Sequence, residues 1–394
     1  MSSPTSSLSS SSSLVPSILS GISSGILPGA TLGVLGGGQL GRMFCMAARN
    51  MGYNTVVLDP DEKSPAAEVA DHHLQADYTD AESLAKMAEM CDAITTEFEN
   101  VPAESLKFLA SHKPVHPSAD AVAIARHRIQ EKDYARDSGL TPAPYALIRS
   151  ADDFDAAIEI TGLPGIIKTT TLGYDGKGQQ VISDKAQLES AFSALGRVEC
   201  VLECKMDLAL EISVLLARNA AGEVACYPPA ENEHVNGVLH KSIVPARVDA
   251  AIAEKARQQA IGLANKINYV GVLAVEFFIT TDNQLIFNEM APRPHNSGHY
   301  TMDAAVVSQF EQQVRVMCGL SPGEARLTSP VVMVNLLGDL WPVNWQICLQ
   351  DPALKLHLYG KHEARPGRKM GHFNLLSKDI NLAIESVDKI FKQL

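Results

Sequence analysis

The strongest constraint on the fold is an apolar run that enters a glycine cluster near the start of the chain. Residues 31–35 have the composition of a buried strand, residues 36–41 contain four glycines, and apolar residues then recur at helical spacing. A second predicted strand at 55–58 ends at Asp59, and a third at 93–95 follows another helical pattern. This alternation of strands and helices predicts a parallel sheet covered on both faces, as in α/β proteins.

The glycine cluster GlyGlyGlyGlnLeuGly matches the G-x-G-x-x-G fingerprint of dinucleotide-binding turns. Asp59 lies twenty-three residues beyond Gly36, near the distance at which an acidic residue binds a ribose in such proteins. Unpaired N–H groups at the helix N-terminus would favour a phosphate or another anion. By itself the motif leaves two alternatives open: an NAD-dependent dehydrogenase, or a tight turn that requires only its glycines.

Composition and pattern divide the chain into several units. Residues 1–29 are dominated by serine and carry no charged side chain, which predicts a disordered tail. Residues 30–138 contain the Rossmann-like pattern, and prolines just beyond them mark a joint to a small β-rich unit at 139–203. Residues 204–394 have the pattern of strands paired by short turns together with helices, one of them expected at 304–317, so this unit is predicted to be α+β.

The overall charge argues against a general affinity for polyanions. The 394 residues carry 45 acidic and 33 basic side chains, a net charge of −12, so we expect neither nucleic acid nor a membrane as a partner. The seven cysteines lack the paired spacing of metal or redox motifs, which indicates reduced thiols. No apolar stretch reaches the about 18 residues of a membrane span and no secretory leader is recognised, so a cytoplasmic location is expected.

The most informative pattern is a predicted hairpin whose strands each carry one glutamate. If Asp282 and Asn283 form its turn, the numbers of paired residues sum to 565, and Glu276 faces Glu289 on one side of the sheet. A four-residue loop at 281–284 preserves that sum. Two facing acids in an apolar sheet repel each other unless a cation lies between them, and Mg²⁺ prefers oxygen ligands of this kind. The alternative is that one carboxylate is protonated or points into solvent.

The β-rich unit carries a second set of candidate side chains. An apolar strand ends at Lys168 and is followed by LeuGlyTyrAspGlyLysGlyGln (172–179), whose glycines predict a flexible flap that carries Lys177. The spacing is not that of a P-loop, so both lysines are expected to reach nucleotide phosphates from a lid, with an ordinary hairpin loop as the alternative. Glu203 and Glu211, near strand ends, are candidates for binding ribose hydroxyls or are solvent-facing strand residues.

Two further segments are rich in polar donors. AlaProArgProHisAsnSerGlyHis (291–299) contains too much Pro and Gly for a helix. Its Arg293, His295 and Asn296 are therefore interpreted as loop residues that bind a small oxyanion, with a structural turn as the alternative. The segment 361–369 suits a phosphate ester, or else forms a solvated basic loop, and its basic residues are Lys361, Arg365, Arg368 and Lys369.

Together these motifs resemble those of the ATP-grasp enzymes of purine biosynthesis that make 5-(carboxyamino)imidazole ribonucleotide. The resemblance covers residues 31–390 and is most specific in GluPhePhe…AsnGluMetAlaProArgProHisAsnSerGlyHis and ArgProGlyArgLysMetGlyHis. It implies a three-domain ATP-grasp fold with an N-terminal Rossmann-like (pre-ATP-grasp) domain, and Mg·ATP between the lid and the C-terminal domain. The family usually has Arg where this chain has Thr170 and Gly where it has Leu172.

The resemblance also implies a set of site residues. ATP would contact Arg128, Lys168, Gly173, Tyr174, Asp175, Gly176, Lys177, Gly178, Gln179, Glu203, Met206, Glu211, His234, Asn288 and Glu289. Mg²⁺ would lie on Glu276 and Glu289, the pair that the hairpin register selects. Bicarbonate would lie near Arg293, His295 and Asn296, which with Lys168 and Lys177 are the expected catalytic residues. The aminoimidazole ribonucleotide would contact Gln39, Leu40 and Glu99, with its phosphate at Lys361, Arg368 and Lys369.

The implied reaction couples ATP hydrolysis to carboxylation. Bicarbonate attacks the γ-phosphate to form carboxyphosphate, which supplies CO₂ to the exocyclic amine of the ribonucleotide. Such chemistry depends on positioning and charge neutralisation, and on a flap that shields a labile intermediate from water. A homodimer is expected, as in the family. The alternatives are another ATP-grasp ligase (biotin carboxylase-like, or a formate-using purine enzyme), a dehydrogenase, or a nucleotide-binding protein without activity.

Overall fold

The N-terminal unit contains a parallel sheet, as predicted. The structure, a computed structural model, describes residues 25–171, 173 and 178–394, so most of the serine-rich tail lies outside the described residues. The elements of this unit are β1 (Thr31–Leu35), α1 (Gln39–Asn50), β2 (Asn54–Leu58), β3 (His72–Leu74), α2 (Ala81–Met90), β4 (Ala93–Thr96) and α3 (Ala103–Ala110). The strand order is β3-β2-β1-β4, with every pair parallel. Strand β3 was not predicted, because three residues carry too little pattern to be recognised.

Two helices lead from this sheet to a small antiparallel one. They are α4 (Ala119–Arg126) and α5 (Arg128–Asp137). The elements that follow are β5 (Tyr145–Ile148), α6 (Phe154–Thr161), β6 (Gly165–Thr169), β7 (Gln179–Ile182), α7 (Lys185–Ala194) and β8 (Cys200–Cys204). The strand order is β5-β8-β6-β7. The glycine-rich segment connects β6 to β7, and Lys168 pairs with Gln179.

A large antiparallel sheet forms the rest of the molecule. Its strands are β9 (Leu208–Arg218), β10 (Val224–Cys226), β11 (Ala230–Val235), β12 (Val238–Val244), β13 (Gly271–Thr280), β14 (Leu285–Ala291), β15 (Val331–Leu337), β16 (Leu354–Leu358) and β17 (Lys369–Leu376). They are ordered β14-β13-β9-β11-β12-β15-β17-β16, with β10 paired to β9. The helices are α8 (Ala250–Lys266), α9 (Thr301–Ala304), α10 (Gln309–Met317), α11 (Trp345–Leu349) and α12 (Ile380–Phe391).

The prediction of a single helix at 304–317 is wrong. The chain forms the short α9, leaves helical geometry at Ala305, and begins α10 at Gln309. Ser308 accounts for the new start, because its hydroxyl accepts a hydrogen bond from the N–H of Glu311, three residues along. A side-chain cap of this kind satisfies an N–H group that has no partner inside the helix. The break matters because it places Gln309 at a helix start beneath the 291–299 segment.

The hairpin of β13 and β14 has the predicted glutamate pairing but a different turn. Glu276 pairs with Glu289, as the sum of 565 requires. Near the turn, however, Thr280 pairs with Gln284, so the residue numbers sum to 564. The reason is that the loop has three residues, the last of which, Asn283, adopts the left-handed conformation (φ 62°). A bulge then restores the predicted register between Phe277 and Glu276.

Helix packing joins the units into one body. Helix α10 packs against α1, burying Phe310 and Val314 against Met43 and Phe44. Helix α5 packs on β14, which brings N-terminal residues to the glutamate hairpin. The site residues therefore rest on rigid elements. All seven cysteines are free thiols, as predicted. Among the described residues, no helix is both long enough and apolar enough to cross a membrane.

The turn of the glutamate hairpin gives a stability test. Asn283 is exposed and adopts a left-handed conformation that Gly accepts without cost, whereas Ala at this position pays a steric penalty. We expect Asn283→Ala to lower the free energy of unfolding by about 1 kcal/mol, and Asn283→Gly to leave it within about 0.5 kcal/mol of wild type. Urea unfolding of both variants measures this, and equal losses would contradict the turn.

Candidate functional site

A cleft of about 630 Å³ lies where the three sheets meet, and most of the predicted site residues line it. The predicted residues that do so are Gln39, Leu40, Glu99, Arg128, Lys168, Gly173, Gln179, Glu211, His234, Glu276, Asn288, Glu289, Arg293, His295, Asn296 and Lys369. Tyr174, Asp175, Gly176 and Lys177 lie outside the described residues. Five other predicted residues are described but are not part of the cleft lining: Gly178, Glu203, Met206, Lys361 and Arg368. The cleft therefore gathers residues that are distant in sequence and were assigned to ATP, metal, bicarbonate and ribonucleotide.

The facing carboxylates of Glu276 and Glu289 lie in the cleft wall. Arg128 Nη1 donates to Glu289 Oε2 at 3.0 Å, and His295 Nε2 lies 3.4 Å from Glu276 Oε1. Burial and the charge of Glu289 raise the pKa of Glu276 to about 8. Burial opposes ionisation of Glu289 too, but Arg128 and Lys168 outweigh it and lower its pKa. The two glutamates therefore differ: Glu289 is ionised, whereas Glu276 is protonated as long as no cation lies beside it. A cation would compensate the negative charge that Glu276 gains on losing its proton.

Lys168 is held in place by a buried carboxylate. Its Nζ donates to Glu203 Oε2 at 2.8 Å, while Lys132 Nζ lies 3.2 Å from Glu203 Oε1 and donates to the carbonyl of Asn288 at 3.1 Å. Burial disfavours the charged form of Glu203, but the two lysines outweigh it and lower the pKa of Glu203 to about 2. Glu203 is buried and is therefore not the solvent-facing strand residue that was considered as the alternative above. It orients Lys168, and Lys132 ties α5, β8 and β14 together.

Two site residues, Glu131 and Lys132, were missed by sequence reasoning. They are adjacent on α5 and almost fully buried. Glu131 Oε1 accepts the N–H of Met290 at 2.6 Å, directly beyond Glu289. Burial and the charge of Glu289 raise the pKa of Glu131 to about 8. Adjacent opposite charges on a helix are typical of a solvated face, so only the packing of α5 on β14 reveals their role.

The 291–299 segment is a loop with one short 3₁₀ turn, as its composition predicts. Arg293 Nε donates to Glu99 Oε2 at 2.7 Å, so an expected bicarbonate residue and an expected ribonucleotide residue are joined as an ion pair. Burial and the charge of Arg293 keep the pKa of His295 well below its usual value, so this imidazole is neutral. The side-chain amide of Asn296 is buried, lines the cleft and has no partner among the described residues at either its oxygen or its nitrogen. An unpaired buried amide points to a ligand.

The glycine cluster is occupied by the protein's own carboxylates. Glu97 accepts the N–H groups of Gly38 at 2.5 Å and Gly41 at 2.6 Å, and Asp59 accepts that of Gly37 at 2.6 Å. A dinucleotide pyrophosphate would need these N–H groups, so the geometry argues against the NAD alternative. Glu97 was also missed by sequence reasoning, although it is the first acid of ThrThrGluPheGluAsn, the motif that supplied Glu99.

The opposite ends of the cleft carry the remaining charges. His234 Nδ1 lies 3.0 Å from Glu211 Oε2, and although burial lowers the pKa of His234, this carboxylate raises it overall. Of the basic 361–369 residues assigned to the phosphate, Lys369 lines the cleft. Lys361 Nζ donates to the carbonyl of Lys369 at 2.7 Å, and Arg368 donates to the carbonyl of Glu363 at 2.8 Å. The segment therefore folds back on itself, with Lys369 closest to the other site residues.

Comparisons with known proteins agree on one family between residues 29 and 386. Residues 29–126 match the ribonucleotide synthetase preATP-grasp domain, residues 133–310 the ATP-grasp domain, and residues 331–386 the phosphoribosylaminoimidazole carboxylase C-terminal domain. The chain is 44% identical over 351 residues to the N5-carboxyaminoimidazole ribonucleotide synthase of Bacillus subtilis, covering 88% of this chain and 91% of that protein. It is 44% identical over 345 residues to that of Brucella melitensis, covering 87% and 95%.

Solved structures give the same result. An ADP complex of N5-carboxyaminoimidazole ribonucleotide synthetase superposes with a TM-score of 0.90 at 43% identity, covering 94% of this chain and 98% of that one. The synthase of Aspergillus clavatus, in complex with ADP and 5-aminoimidazole ribonucleotide, superposes with a TM-score of 0.85 at 29% identity, covering 92% and 98%. The strand order described above is thus shared with enzymes crystallised with nucleotide.

Glu131 gives a test of the electrostatics that does not depend on activity. Its pKa is raised, so the folded protein holds a proton that the unfolded chain releases above about pH 4.5, and stability falls as pH rises from there to about 8. Glu131→Gln keeps the shape and removes this loss. We expect the variant to gain stability relative to wild type between about pH 5 and pH 8, by up to about 1.4 kcal/mol per pH unit. Urea unfolding at both pH values measures the gain.

The exposed Glu159 of α6 provides the matched control for that measurement. Glu159→Gln also removes one carboxylate, but at a side chain that lies in solvent, far from the glutamate hairpin. We expect its effect to be within about 0.5 kcal/mol at both pH values. A pH-independent difference between Glu131→Gln and wild type would show that Glu131 is ionised in the folded protein throughout this range.

Proposed function

The chain belongs to the N5-carboxyaminoimidazole ribonucleotide synthase family, and on that premise we propose that it carboxylates 5-aminoimidazole ribonucleotide with bicarbonate and ATP. The family and the ATP-grasp fold with a pre-ATP-grasp domain, both predicted from the motifs, are confirmed. Membership decides against a biotin carboxylase-like enzyme, a formate-using purine enzyme and a dehydrogenase. The observation that carries the function is that one cleft unites the glutamate hairpin, Lys168 and the unpaired amide of Asn296.

ATP is the phosphoryl donor of ATP-grasp enzymes, and the charges of the cleft suit its phosphates. Lys168 is positioned by Glu203, and Arg128 both donates to Glu289 and bonds the carbonyl of Gly173 at 3.3 Å. Arg128 thereby links the glutamate hairpin to the start of the glycine-rich connection. We assign the triphosphate to this region, with Gln179, Glu211, His234 and Asn288 around the rest of the nucleotide. The further ATP contacts that the family resemblance implies are Gly178 and four residues outside the described part of the chain: Tyr174, Asp175, Gly176 and Lys177.

The glutamate hairpin fits a magnesium ion. Burial and, after it, the charge of Glu289 raise the pKa of Glu276, and a divalent cation between the two carboxylates would favour the ionised form of Glu276. No group of three or more His, Cys, Asp or Glu side chains within the described part of the chain could hold a metal by itself. Mg²⁺ commonly takes one or two carboxylates and completes its shell with phosphate oxygens and water. Glu276 and Glu289 would hold the ion, which would neutralise phosphate charge.

We assign the reaction to the region between the residues expected to bind bicarbonate and those expected to bind the triphosphate of ATP. An oxygen of bicarbonate, held by Arg293, His295 and Asn296, forms a bond to the γ-phosphorus as the bond to ADP breaks. The resulting carboxyphosphate releases phosphate, and its carbon forms a bond to the exocyclic nitrogen of the ribonucleotide, which loses a proton. Lys168 and Arg293 supply positive charge to these steps. No protein nucleophile is required.

The ribonucleotide is assigned to the N-terminal side of the cleft. Gln39, Leu40 and Glu99 line this side, and Glu99 is already oriented by Arg293. Lys369 is the basic residue of the 361–369 segment in the lining, so we place the phosphate there, with Lys361 and Arg368 in support: Lys361 fixes the Lys369 carbonyl. Thr170, where the family usually has Arg, donates its hydroxyl to the carbonyl of Glu199 at 3.1 Å and brings no charge of its own to the cleft.

Four wider assignments complete the proposal. The units are taken as residues 1–29, 30–138, 139–203 and 204–394, with α5 at the end of the second unit. Met206, half-buried directly after β8, is placed beside the base of the nucleotide. A homodimer is proposed by analogy with the family. The free thiols and the purine substrate favour a cytoplasmic location.

One coupled assay tests the function. The purified chain is mixed with Mg·ATP, bicarbonate and 5-aminoimidazole ribonucleotide, and ADP release is followed. We expect release only when both bicarbonate and the ribonucleotide are present, and recovery of label from ¹³C-bicarbonate on the ribonucleotide. Release that occurs equally without the ribonucleotide, or a requirement for formate in place of bicarbonate, would overturn the proposal.

The metal assignment gives a sharper test. Glu289→Gln keeps the size of the side chain but removes the ionised member of the pair, so we expect kcat to fall at least about 100-fold with the fold intact. Glu385→Gln, at an exposed position of α12, is the control and should retain wild-type activity. Kinetics at several Mg²⁺ concentrations, with circular dichroism for the fold, measure the effect. Activity of Glu289→Gln within about twofold of wild type would contradict the assignment.

A further inference from the structure

The turn that carries His295 and Asn296 is bonded at both of its ends by one buried side chain, Gln309. We propose that Gln309 is a positioning residue that sets the geometry of the bicarbonate pocket without touching the substrate, an inference that rests on the function proposed above. Gln309 is the first residue of α10, is fully buried, and lies fourteen residues beyond His295 in the sequence.

Gln309 bonds both ends of the turn. Its Oε1 accepts the N–H of His295 at 2.8 Å, and its Nε2 donates to the carbonyl of His295 at 2.9 Å. The same Nε2 lies 3.0 Å from Nδ1 of His299, at the far end of the turn. The backbone polar groups of His295 fix the orientation of the amide, because an N–H requires an acceptor and a carbonyl requires a donor. One side chain thus fixes where the turn begins and where it ends.

Thr301 provides an independent second attachment of the same turn. Its hydroxyl donates to the carbonyl of Gly298 at 2.6 Å and accepts the backbone N–H of Gln309 at 3.0 Å. Gly298 leaves room for this arrangement, since a Cβ there would lie 2.6 Å from Gln309 Oε1 and 2.1 Å from a methyl carbon of Leu215. The close approach of Gln309 therefore requires glycine at this position.

A chain of buried hydroxyl and amide groups holds the middle of the turn. Ser213 donates to the hydroxyl of Ser297 at 2.7 Å, and Asn232 donates to Ser213 at 3.0 Å. In turn His295 Nδ1 lies 2.9 Å from the hydroxyl of Ser297. The hydroxyl of Ser297 and Nδ1 of His295 are thus paired, whereas the amide of Asn296, which lines the cleft, has no partner among the described residues, and neither has the buried Nε2 of His299. The support therefore leaves the amide of Asn296 available to a ligand in the cleft.

The consequence for the reaction is specific to one substrate. If Gln309 fixes the height and tilt of the turn, its loss displaces His295 and Asn296 but leaves Lys168 and the glutamate hairpin in place, since those are held by Glu203 and Arg128. Bicarbonate binding should weaken while ATP binding does not. A merely structural role would lower stability without separating the two substrates.

The chain offers a matched control on the same helix. Gln312 is also fully buried on α10, and it too binds both backbone groups of one residue, with Nε2 donating to the carbonyl of Gly323 at 2.8 Å and Oε1 accepting its N–H at 2.9 Å. The loop that it holds does not line the cleft. Each of the variants Gln312→Met and Gln309→Met therefore removes two side-chain hydrogen bonds from α10 to the backbone of one loop residue. They differ in the loop that loses its attachment: Gln309→Met frees the turn at His295, and Gln312→Met frees the loop at Gly323.

The experiment compares wild type, Gln309→Met, Gln312→Met and Thr301→Val in the ADP-release assay, with carbonate-free buffers. We expect Gln309→Met to raise the KM for bicarbonate about 10-fold or more, and Thr301→Val to raise it by a smaller factor, with the KM for ATP within about twofold. Gln312→Met should lower Tm comparably and leave both KM values unchanged. Hydrogen exchange of the 293–300 peptide should accelerate in Gln309→Met and not in Gln312→Met.

Each failure has its own signature. A bicarbonate KM that moves equally in Gln309→Met and Gln312→Met, or in neither, overturns the positioning role while the wild-type activity stands. If Gln309→Met does not fold, Thr301→Val decides: an unchanged bicarbonate KM in that variant overturns the role. A wild-type chain without bicarbonate-dependent ADP release overturns the proposed function itself, before any variant is compared.

Discussion

The mutual repulsion of Glu276 and Glu289 is the constraint around which the cleft is organised. Two carboxylates face each other across an otherwise apolar hairpin, and one of them keeps a proton in the absence of a cation. The compensating charges come from other units: Arg128 from α5 binds Glu289, and Lys168 from the lid sheet lowers its pKa. These groups lie on two different sheets and one helix, so neutralising the charge of the two glutamates also fixes how the units meet.

The facing glutamates could be predicted from the sequence, but partly through cancelling errors. A two-residue turn at Asp282 and Asn283 gives the sum of 565, whereas the actual three-residue loop gives 564. The bulge beside Glu289 adds the missing residue. Both deviations are local: a left-handed Asn and an extra residue in one strand leave no trace in the alternation of apolar side chains. Long-range pairing of the acids survives because the bulge lies between the turn and the site.

The residues that sequence reasoning missed are those whose role depends on tertiary packing. Glu131 and Lys132 form an ordinary charged pair on an amphipathic helix until α5 packs on β14 and buries both. Glu203 has the signal of a polar strand residue, yet β8 is an interior strand and its carboxylate is enclosed by lysines. By contrast, β1 was predicted at its observed bounds, residues 31–35, since an apolar run that enters a glycine cluster is a signal encoded within a few residues.

The glycine cluster shows how one motif serves different chemistry in different surroundings. Free N–H groups at the start of a helix attract phosphate, but here Glu97 and Asp59 already accept them at 2.5–2.6 Å. A phosphate at this place would meet two carboxylates, so the helix N-terminus of α1 repels the charge that it normally binds. What remains accessible are the side chains that follow, Gln39 and Leu40, which suit an uncharged heterocycle. This is why we place the ribonucleotide phosphate away from the glycine cluster, at Lys369, a basic residue of the cleft lining that belongs to the 361–369 segment.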